Sequence, residues 1–554
     1  MAALPPSSLN SPRTTEVQQY DVIIIGAGFS GISALHRFRN QKLHAHVFEA
    51  GSDFGGAWHW NRYPGARVDS ETPFYQLSIP SVYNTWNFSS RFPDHHELRR
   101  YMAHIDATLG LRRDTTFNAR VCSCTWDNGA AKWAIRTESG VTAAARWLVL
   151  ATGLLHKPLF PSWPGKDKYK GVLLHSAQWD EGISVKEKKV AVIGAGATSV
   201  QIVQELGKEA KELTLLVRRP SYCIPMCQCI WSEEEKMAFR ASCPELFAAG
   251  RNSAVGIPNV RNDMRAQDVS AEKRERYLEE IWAAGGMQFL LRNYKNIMLD
   301  KEANHMVYEF WKKKVRQRLT DDKKQALMTP DEMPFYFSTK RTPLEHDYYD
   351  VLNQDNVDIV DLNKHGIRGF TERGLQLGDQ DREFDYIVCA TGFDSISGSV
   401  TSMGLKSKDG VDIKDIWKDG IRTYLGMMVH GFPNAFMVYA PQAPNALVNG
   451  PTIIECQCDF VCDTIMSLGK NRIIEPTREA EDGWKEGIDA AVSRTLYPHT
   501  NSWWNTSNVP GKKAEKQLYI LGISNYEKQC RETVADWKGF VIREVEPPPY
   551  KTVL

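Results

Sequence analysis

Long apolar runs are missing from this 554-residue chain. No stretch approaches the roughly 20 residues that a helix needs to cross a bilayer, so a helical membrane protein is not expected. Charge of one sign is missing as well. Sixty-eight lysines and arginines face 67 aspartates and glutamates, a formal net charge of +1, and no basic run interleaves with aromatics. Neither nucleic acid nor an anionic membrane surface is an expected partner. The first nineteen residues, rich in Pro and Ser, lack the charged start and apolar middle of a secretory signal and read as a disordered tail. The 11 cysteines are odd in number, and none has C-x-x-C spacing. That excludes a complete disulfide framework, a zinc ribbon and a dithiol redox centre, and points to reduced thiols in the cytoplasm with no metal site. Neither G-x-S-x-G nor H-E-x-x-H occurs, which removes two common hydrolase classes.

What is present is an ordinary globular composition, 42% apolar and 24% charged, in a chain long enough for two to four domains. The apolar run Asp21–Ile25 suits a buried parallel strand. It leads into Gly26-Ala-Gly28-Phe-Ser30-Gly31 and a helical pattern, and the next strand, HAHVFEA, ends on Glu49. Strand, G-x-G-x-x-G, helix and a following acid together form a dinucleotide site. The glycines admit a pyrophosphate at the helix N-terminus, and Glu49 can accept hydrogen bonds from ribose hydroxyls.

A second strand, turn and helix spans Lys188–Leu206, with Gly194 and Gly196 in place and Ser199 where the third glycine would stand. The next strand ends not on an acid but on Arg218-Arg219. A cationic pair there suits a 2′-phosphate, so this turn is expected to take NADPH and the first one FAD. Two strands end alike, WLVLATG (Trp147–Gly153) and YIVCATGFD (Tyr386–Asp394). They read either as core strands with glycine turns or as crossings between two nucleotide domains. The intervening residues 231–330 are rich in Glu, Lys, Arg, Met and Ala and read as amphipathic helices.

Two further stretches carry fixed spacings. Tyr169-x-Gly171-x3-His175-x3-Trp179-Asp180 lies between the two nucleotide segments and reads by composition as a loop with a stray histidine. Gly55-Gly56-x-Trp58-x4-Tyr63-Pro64-Gly65-x3-Asp69 reads as a long aromatic loop of the kind that covers a planar cofactor. Together they resemble the signatures of type I Baeyer–Villiger monooxygenases, with Tyr169 where Phe is commoner. The resemblance runs from about residue 20 to about residue 540.

It implies an α/β fold of two Rossmann-like domains, for FAD and NADPH, with a helical insertion in the NADPH domain. Residues 1–19 would be a tail, 20–155 and 386–554 the two parts of the FAD domain, 156–230 and 333–385 those of the NADPH domain, and 231–332 the insertion. The fingerprint at 169–180 would couple the domains through Gly171, His175 and Trp179. The implied reaction uses NADPH to reduce FAD and dioxygen to form a flavin C4a-peroxide. That species then inserts one oxygen beside a ketone carbonyl to give an ester or lactone.

By the same resemblance Arg341 is the catalytic cation and Asp69 the carboxylate that orients it. Spacing alone would make Lys340-Arg341 an ordinary surface pair. Lys340 would join Arg218 and Arg219 on the 2′-phosphate. Further cofactor contacts would come from Ser30, Ala57, Trp58, His59, Trp60, Tyr75 and Val121, and from Ala197, Thr198 and Ser199. Trp503 would contact NADP, although the NTSNVPGKK after it departs from the commoner G-A-N-V-P-G-K. Ala443–Leu447 would shape the substrate pocket. The sequence leaves oligomeric state open. The competing readings are a flavin-containing N- or S-monooxygenase, which does not need an Arg–Asp pair, and a flavin disulfide reductase, which needs a C-x-x-C. A third is an NADPH-binding protein without activity.

Overall fold

In the computed structural model, which describes residues 17–260 and 262–545, the first apolar run lies at the centre of a seven-stranded sheet. The strand Gln18–Ile25 pairs in parallel with Ala45–Phe48 on one side and Thr142–Leu150 on the other. Thr142–Leu150 is divided along its far edge. Its first half pairs antiparallel with Lys132–Thr137, and its second half pairs in parallel with Ala435–Met437, a strand from far down the chain. The expected tail ends earlier than residue 19. Residues 1–16 lie outside the described residues, but Gln18 and Gln19 already pair with Ala143 and Ala144. Backbone pairing at this exposed strand end needs no apolar side chains, so the apolar pattern could not mark it.

The second sheet is wholly parallel, in the order Val357–Asp361, Glu212–Val217, Lys189–Ile193, Tyr386–Cys389, Val172–His175. Between its strands Glu212–Val217 and Val357–Asp361 the chain forms the helices Glu233–Arg251, Ala271–Ala283, Lys301–Arg316 and Asp322–Met328. Each of these begins with a Ser or Asp side chain accepting from the backbone, namely Ser232, Ser270, Asp300 and Asp321. Among the described residues, no helix is long and apolar enough to cross a membrane.

The two glycine turns are built alike. Gly26 (φ 106°) and Gly194 (φ 119°) occupy a backbone region that favours glycine. A Cβ on Gly26 would lie 2.5 Å from the carbonyl oxygen of Ala151, and one on Gly194 would lie 2.5 Å from that of Ala390. Each turn is therefore pressed against the end of its own ATG strand. The helices Phe29–Asn40 and Ala197–Glu209 follow. On the first sheet the apolar helix Gly450–Leu468 adds a further layer, fixed to the first helix by Arg37, which pairs with Glu455 and Asp459.

The fingerprint is not a loop. Val172–His175 is the edge strand of the second sheet, and Gly171 enters it where a Cβ would lie 2.7 Å from the carbonyl oxygen of Asp385. Four residues at a half-exposed edge are too few for alternation to register. The strand ends at the two chain crossings, which pair antiparallel. Leu159 N–H donates to the carbonyl of Gly392 (3.0 Å), and Asp394 N–H to that of Lys157 (2.9 Å).

A Cβ on Gly31 would lie 1.9 Å from the carbonyl oxygen of Gly26. Gly31→Ala is therefore expected to push the first helix off its turn and lower stability by about 1–3 kcal/mol or more. The checks are the melting temperature and the flavin-to-protein absorbance ratio of the purified variant, both of which should fall.

Candidate active site

The two halves of the first dinucleotide motif meet the aromatic loop directly. A Cβ on Gly56 would sit 2.9 Å from Gly28 Cα, and Gly55 N–H donates to the carbonyl of Ala27 (3.1 Å). The glycine turn and the loop that starts at Gly55 thus form one narrow cradle. The Glu49 carboxylate lies beneath it, buried, with one oxygen accepting from Ala27 N–H and the other from Gly51 N–H, both at 2.6 Å. Burial raises its pKa, and these amides oppose that shift. Each oxygen keeps a second lone pair for a ribose hydroxyl.

Ser30 is buried in the first helical turn, and Val121, also buried, opens the strand Val121–Asp127. In the short helix Ala57–Trp60, Ala57 is exposed, Trp58 and Trp60 are half-buried and His59 is buried, its carbonyl taking Arg62 Nε–H at 2.7 Å. Trp58 Nε1–H donates to Tyr75 Oη (3.0 Å).

Asp69 ends this loop, and Arg341 reaches it from 272 residues away. The guanidinium grips the carboxylate with two parallel bonds, Nε to Oδ2 at 2.7 Å and Nη2 to Oδ1 at 2.6 Å. This fork-to-fork geometry is the strong form of the pair. Its third donor, Nη1, bonds the carbonyl of Ala446 at 2.8 Å. Both side chains keep 28% of their surface exposed, so the pair is neither fully hydrated nor sealed. Burial pulls the Arg341 pKa down, but Asp69, then Tyr439 and Tyr75, outweigh it and the net shift is upward. The group stays cationic at any working pH.

Sequence reading did not identify what holds this arginine in place. Asn304, fully buried on the apolar face of Lys301–Arg316, donates to the carbonyl of Phe337 (3.0 Å) and accepts from its N–H (2.7 Å). Tyr222 bonds the carbonyl of Phe335 (2.7 Å) and stacks on Phe337. The helices between 233 and 328 thereby fix the segment leading to Lys340 and Arg341. On the other side Tyr439, in the left-handed region at φ 59°, bonds the carbonyl of Asn445 (3.0 Å) and steadies the loop that presents Ala446. An Asn among Ala303, Val307, Tyr308 and Trp311 was a readable signal, since a buried amide needs partners. Tyr439 offered none.

The second turn is arranged for an anion. Gly196 caps the helix, whose first turn is Ala197, Thr198 and the buried Ser199. The Ser199 hydroxyl has no hydrogen-bond partner among the described residues. Arg218, Arg219 and Lys340 come together at the end of the adjoining strand, and none of them has an ion-pair partner among the described residues. Burial first, then Arg219 and Arg218, push the Lys340 pKa down to about 7. An open groove of about 1150 Å³ runs from the two arginines past Asp361 and Asn363. Three unpaired cations beside a helix N-terminus fit the pyrophosphate and 2′-phosphate of NADPH, and the Gly28–Gly56 cradle with Glu49 fits the adenosine diphosphate of FAD.

His175 sits between the two halves, fully buried. Its Nδ1 accepts from Ala177 N–H (3.1 Å), so the neutral ring carries its proton on Nε2, which donates to the carbonyl of Gly392 (2.9 Å). Burial lowers its pKa, with the Gly392 carbonyl opposing. Gly392 is the crossing residue already bonded by Leu159. Trp179 is buried against the second sheet. Trp503, half-buried beside Trp504, lies in a short turn capped by Ser502, and the loop after it is held to the second crossing by Asn508 on the Phe393 carbonyl (2.9 Å) and by Lys512 on Asp394.

A site of two glycine-turn nucleotide cradles with a forked cation between them defines a flavoprotein oxygenase that uses FAD and NADPH. Residues 19–239 match the flavin-binding monooxygenase-like family model. The chain is 37% identical to a cyclopentanone 1,2-monooxygenase of Comamonas sp., over 94% of this chain and 95% of the relative. It is 34% identical to a Baeyer–Villiger monooxygenase of Pseudooceanicola batsensis, over 95% and 96%. The crystal structure of OTEMO in complex with FAD and NADP superposes with a TM-score of 0.91 at 30% identity, covering 95% of this chain and all of that one. The chain belongs to the Baeyer–Villiger monooxygenases of the flavin-binding monooxygenase family, and is an oxidoreductase with FAD and NADPH as its cofactors. The N- or S-monooxygenase alternative has less support from these relatives.

A 2′-phosphate held at Lys340 would need the protonated amine, which the free protein gives up as pH rises through about 7. The preference for NADPH over NADH should therefore fall between pH 7 and 9, by at most about tenfold per pH unit. The folded-state pKa is lowered, so the unfolded chain holds this proton up to higher pH. The group thus adds stability to the free protein as pH rises from about 7 toward the unfolded value. Nucleotide titrations on parent and Lys340→Gln check this, because the variant should lose the dependence.

His175→Ala is expected to leave flavin bound while slowing flavin reduction by NADPH, because it frees the Gly392 crossing from the edge strand. Anaerobic stopped-flow reduction at the parent rate would contradict that role.

Proposed function

We propose that the chain inserts one atom of dioxygen beside the carbonyl of a ketone, giving an ester or lactone, with Arg341 and Asp69 as its catalytic pair. The observation that carries this reading is the forked Arg341–Asp69 contact, closed on its third side by the Ala446 carbonyl. Bound FAD supplies the activation of dioxygen, and NADPH supplies the reducing hydride. The protein's own task is to hold a permanent positive charge where negative charge develops on oxygen, and to keep water away from it. Arg341 meets the first need, since no pH change within the working range discharges it. Asp69 sets its orientation, and the buried phenols of Tyr75 and Tyr439 surround it without adding charge.

Glu49 and the glycine cradle would bind the flavin nucleotide. Gly194, Gly196, Ala197, Thr198 and Ser199 would bind the pyrophosphate of NADPH, with Arg218, Arg219 and Lys340 on its 2′-phosphate and Trp503 beside it. Gly171, His175 and Trp179 would couple the two halves, and residues 231–332 would be an insertion that carries Lys340 and Arg341 into place. The ketone is supported by relatives named for cyclopentanone and acetone. Ala446 and Leu447 pack with Trp503 and Trp504 where a pocket wall would stand. A cytoplasmic location with no nucleic-acid or membrane partner belongs to the same reading, supported by the unpaired thiols and the near-zero net charge.

Arg341→Ala is expected to retain flavin but to cut ester formation a hundred- to thousand-fold, about 2.7–4 kcal/mol of stabilisation. Asp69→Ala should lose less, and the double variant should not lose the sum. Enzyme reduced anaerobically by NADPH would be mixed with oxygen and a ketone, and ester counted per flavin reoxidised. Ester formed by Arg341→Ala at the parent rate would sink the mechanism. Oxidation of an amine or thioether in place of any ketone would move the enzyme to the N- or S-oxygenating class.

A further inference from the structure

We propose that His95, His96 and Glu181 form a binding site for a divalent transition-metal ion of the zinc, nickel or copper class, joining the FAD half to the segment that follows Trp179. One ligand atom from each residue lies within 4.8 Å of the other two. Zinc bonds of about 2.0–2.2 Å require closer spacing than this, which the exposed side chains of His96 and Glu181 can supply by rotating inward.

Two observations beyond proximity point to a ligand. The His95 side chain is buried, at 4% exposure, yet its Nδ1 makes no hydrogen bond to any described residue. A buried polar nitrogen left so is uncommon and calls for a partner. Neighbouring side chains on a helix normally diverge, yet the His95 and His96 rings lie together with centroids 3.9 Å apart and planes tilted by 35°. The backbone holds them there. Asp94 caps the helix His95–Leu109, and His95 N–H donates to the carbonyl of Ala66 (2.9 Å).

The carboxylate is half committed. Glu181 Oε1 accepts from Arg99 at 2.6 Å, while Oε2 stands 3.9 Å from Arg62, beyond hydrogen-bonding range, and keeps its lone pairs. Two imidazoles and one carboxylate suit zinc, nickel or copper rather than calcium or magnesium, which prefer all-oxygen shells. The nearby arginines repel a cation and weaken the site toward the micromolar range. Three protein donors leave a fourth position for water. The helix packs in the core of the first sheet and Trp179 in that of the second, so the ion would bridge the two halves.

The test uses FAD-loaded enzyme freed of metal by a chelator and titrated with Co²⁺ and Zn²⁺, following the visible cobalt absorption and the heat of binding. Expected is one ion per chain, displaced by zinc, with no thiolate charge-transfer band. Binding should be at least tenfold weaker in His96→Ala and in Glu181→Gln, both exposed positions whose melting temperatures should match the parent. On the proposed function, zinc should also slow NADPH-driven turnover in the parent and not in either variant. No saturable binding would overturn the site. So would equal binding in both variants, which would assign the metal to the exposed thiols of Cys227 and Cys229.

Discussion

The arrangement rests on one forked ion pair whose partners no local structure could bring together. Asp69 belongs to the loop that begins on the flavin-side glycines, Arg341 to the segment that leaves the helices of residues 233–328, and Ala446 to the returning chain. A half-buried ion pair loses much of its hydration, and attraction offsets that loss only when geometry is good and the remaining donors are used. Here each of the three guanidinium nitrogens makes one bond, two to Asp69 and one to the Ala446 carbonyl, with two N–H groups left over. The demand propagates outward. Asn304 must hold Phe337 from both sides, and Tyr439 must keep a left-handed backbone, because displacing either segment leaves a charge without its partner.

Lys340 is the neighbour of this cation and its electrostatic opposite in purpose. Arg341 is matched by a carboxylate at once, whereas Lys340, Arg218 and Arg219 form no ion pair among the described residues. Burial of the Lys340 amine beside two guanidinium groups is unfavourable in the free protein, which is why the lysine sheds its proton near neutrality. A dianionic ligand removes that penalty. One dipeptide thus presents a charge that is already satisfied and a charge with no ion-pair partner among the described residues.

What the sequence made legible is local. Each glycine turn announces itself because a strand, a positive-φ glycine and a helix follow within a dozen residues, and Arg218-Arg219 stand where an acid is otherwise expected. The resemblance added Arg341 and Asp69, which periodicity alone left as a surface basic pair and a loop acid. Beyond local turn chemistry the signal fails for physical reasons. The edge strand Val172–His175 has four residues and one covered side. The abutment of Gly28 on Gly56 and the bond from His175 to Gly392 depend on how separate segments stack, and stacking leaves no period in the chain. The polar start of the first strand is fixed by backbone bonds that any side chain permits.

The divided edge of Thr142–Leu150 bears on how the molecule is made. Its outer half-edge stays open until Ala435–Met437 emerges, after the whole second sheet has been synthesised. At ordinary elongation rates that interval is on the order of tens of seconds. For that time the growing chain holds a nearly complete sheet with a bare apolar edge of Leu148, Val149 and Leu150, the kind of surface that recruits other strands. The second sheet, itself split by the helices of residues 233–328, is complete at Cys389, so the parallel strands of both halves exist before the first sheet receives its last edge.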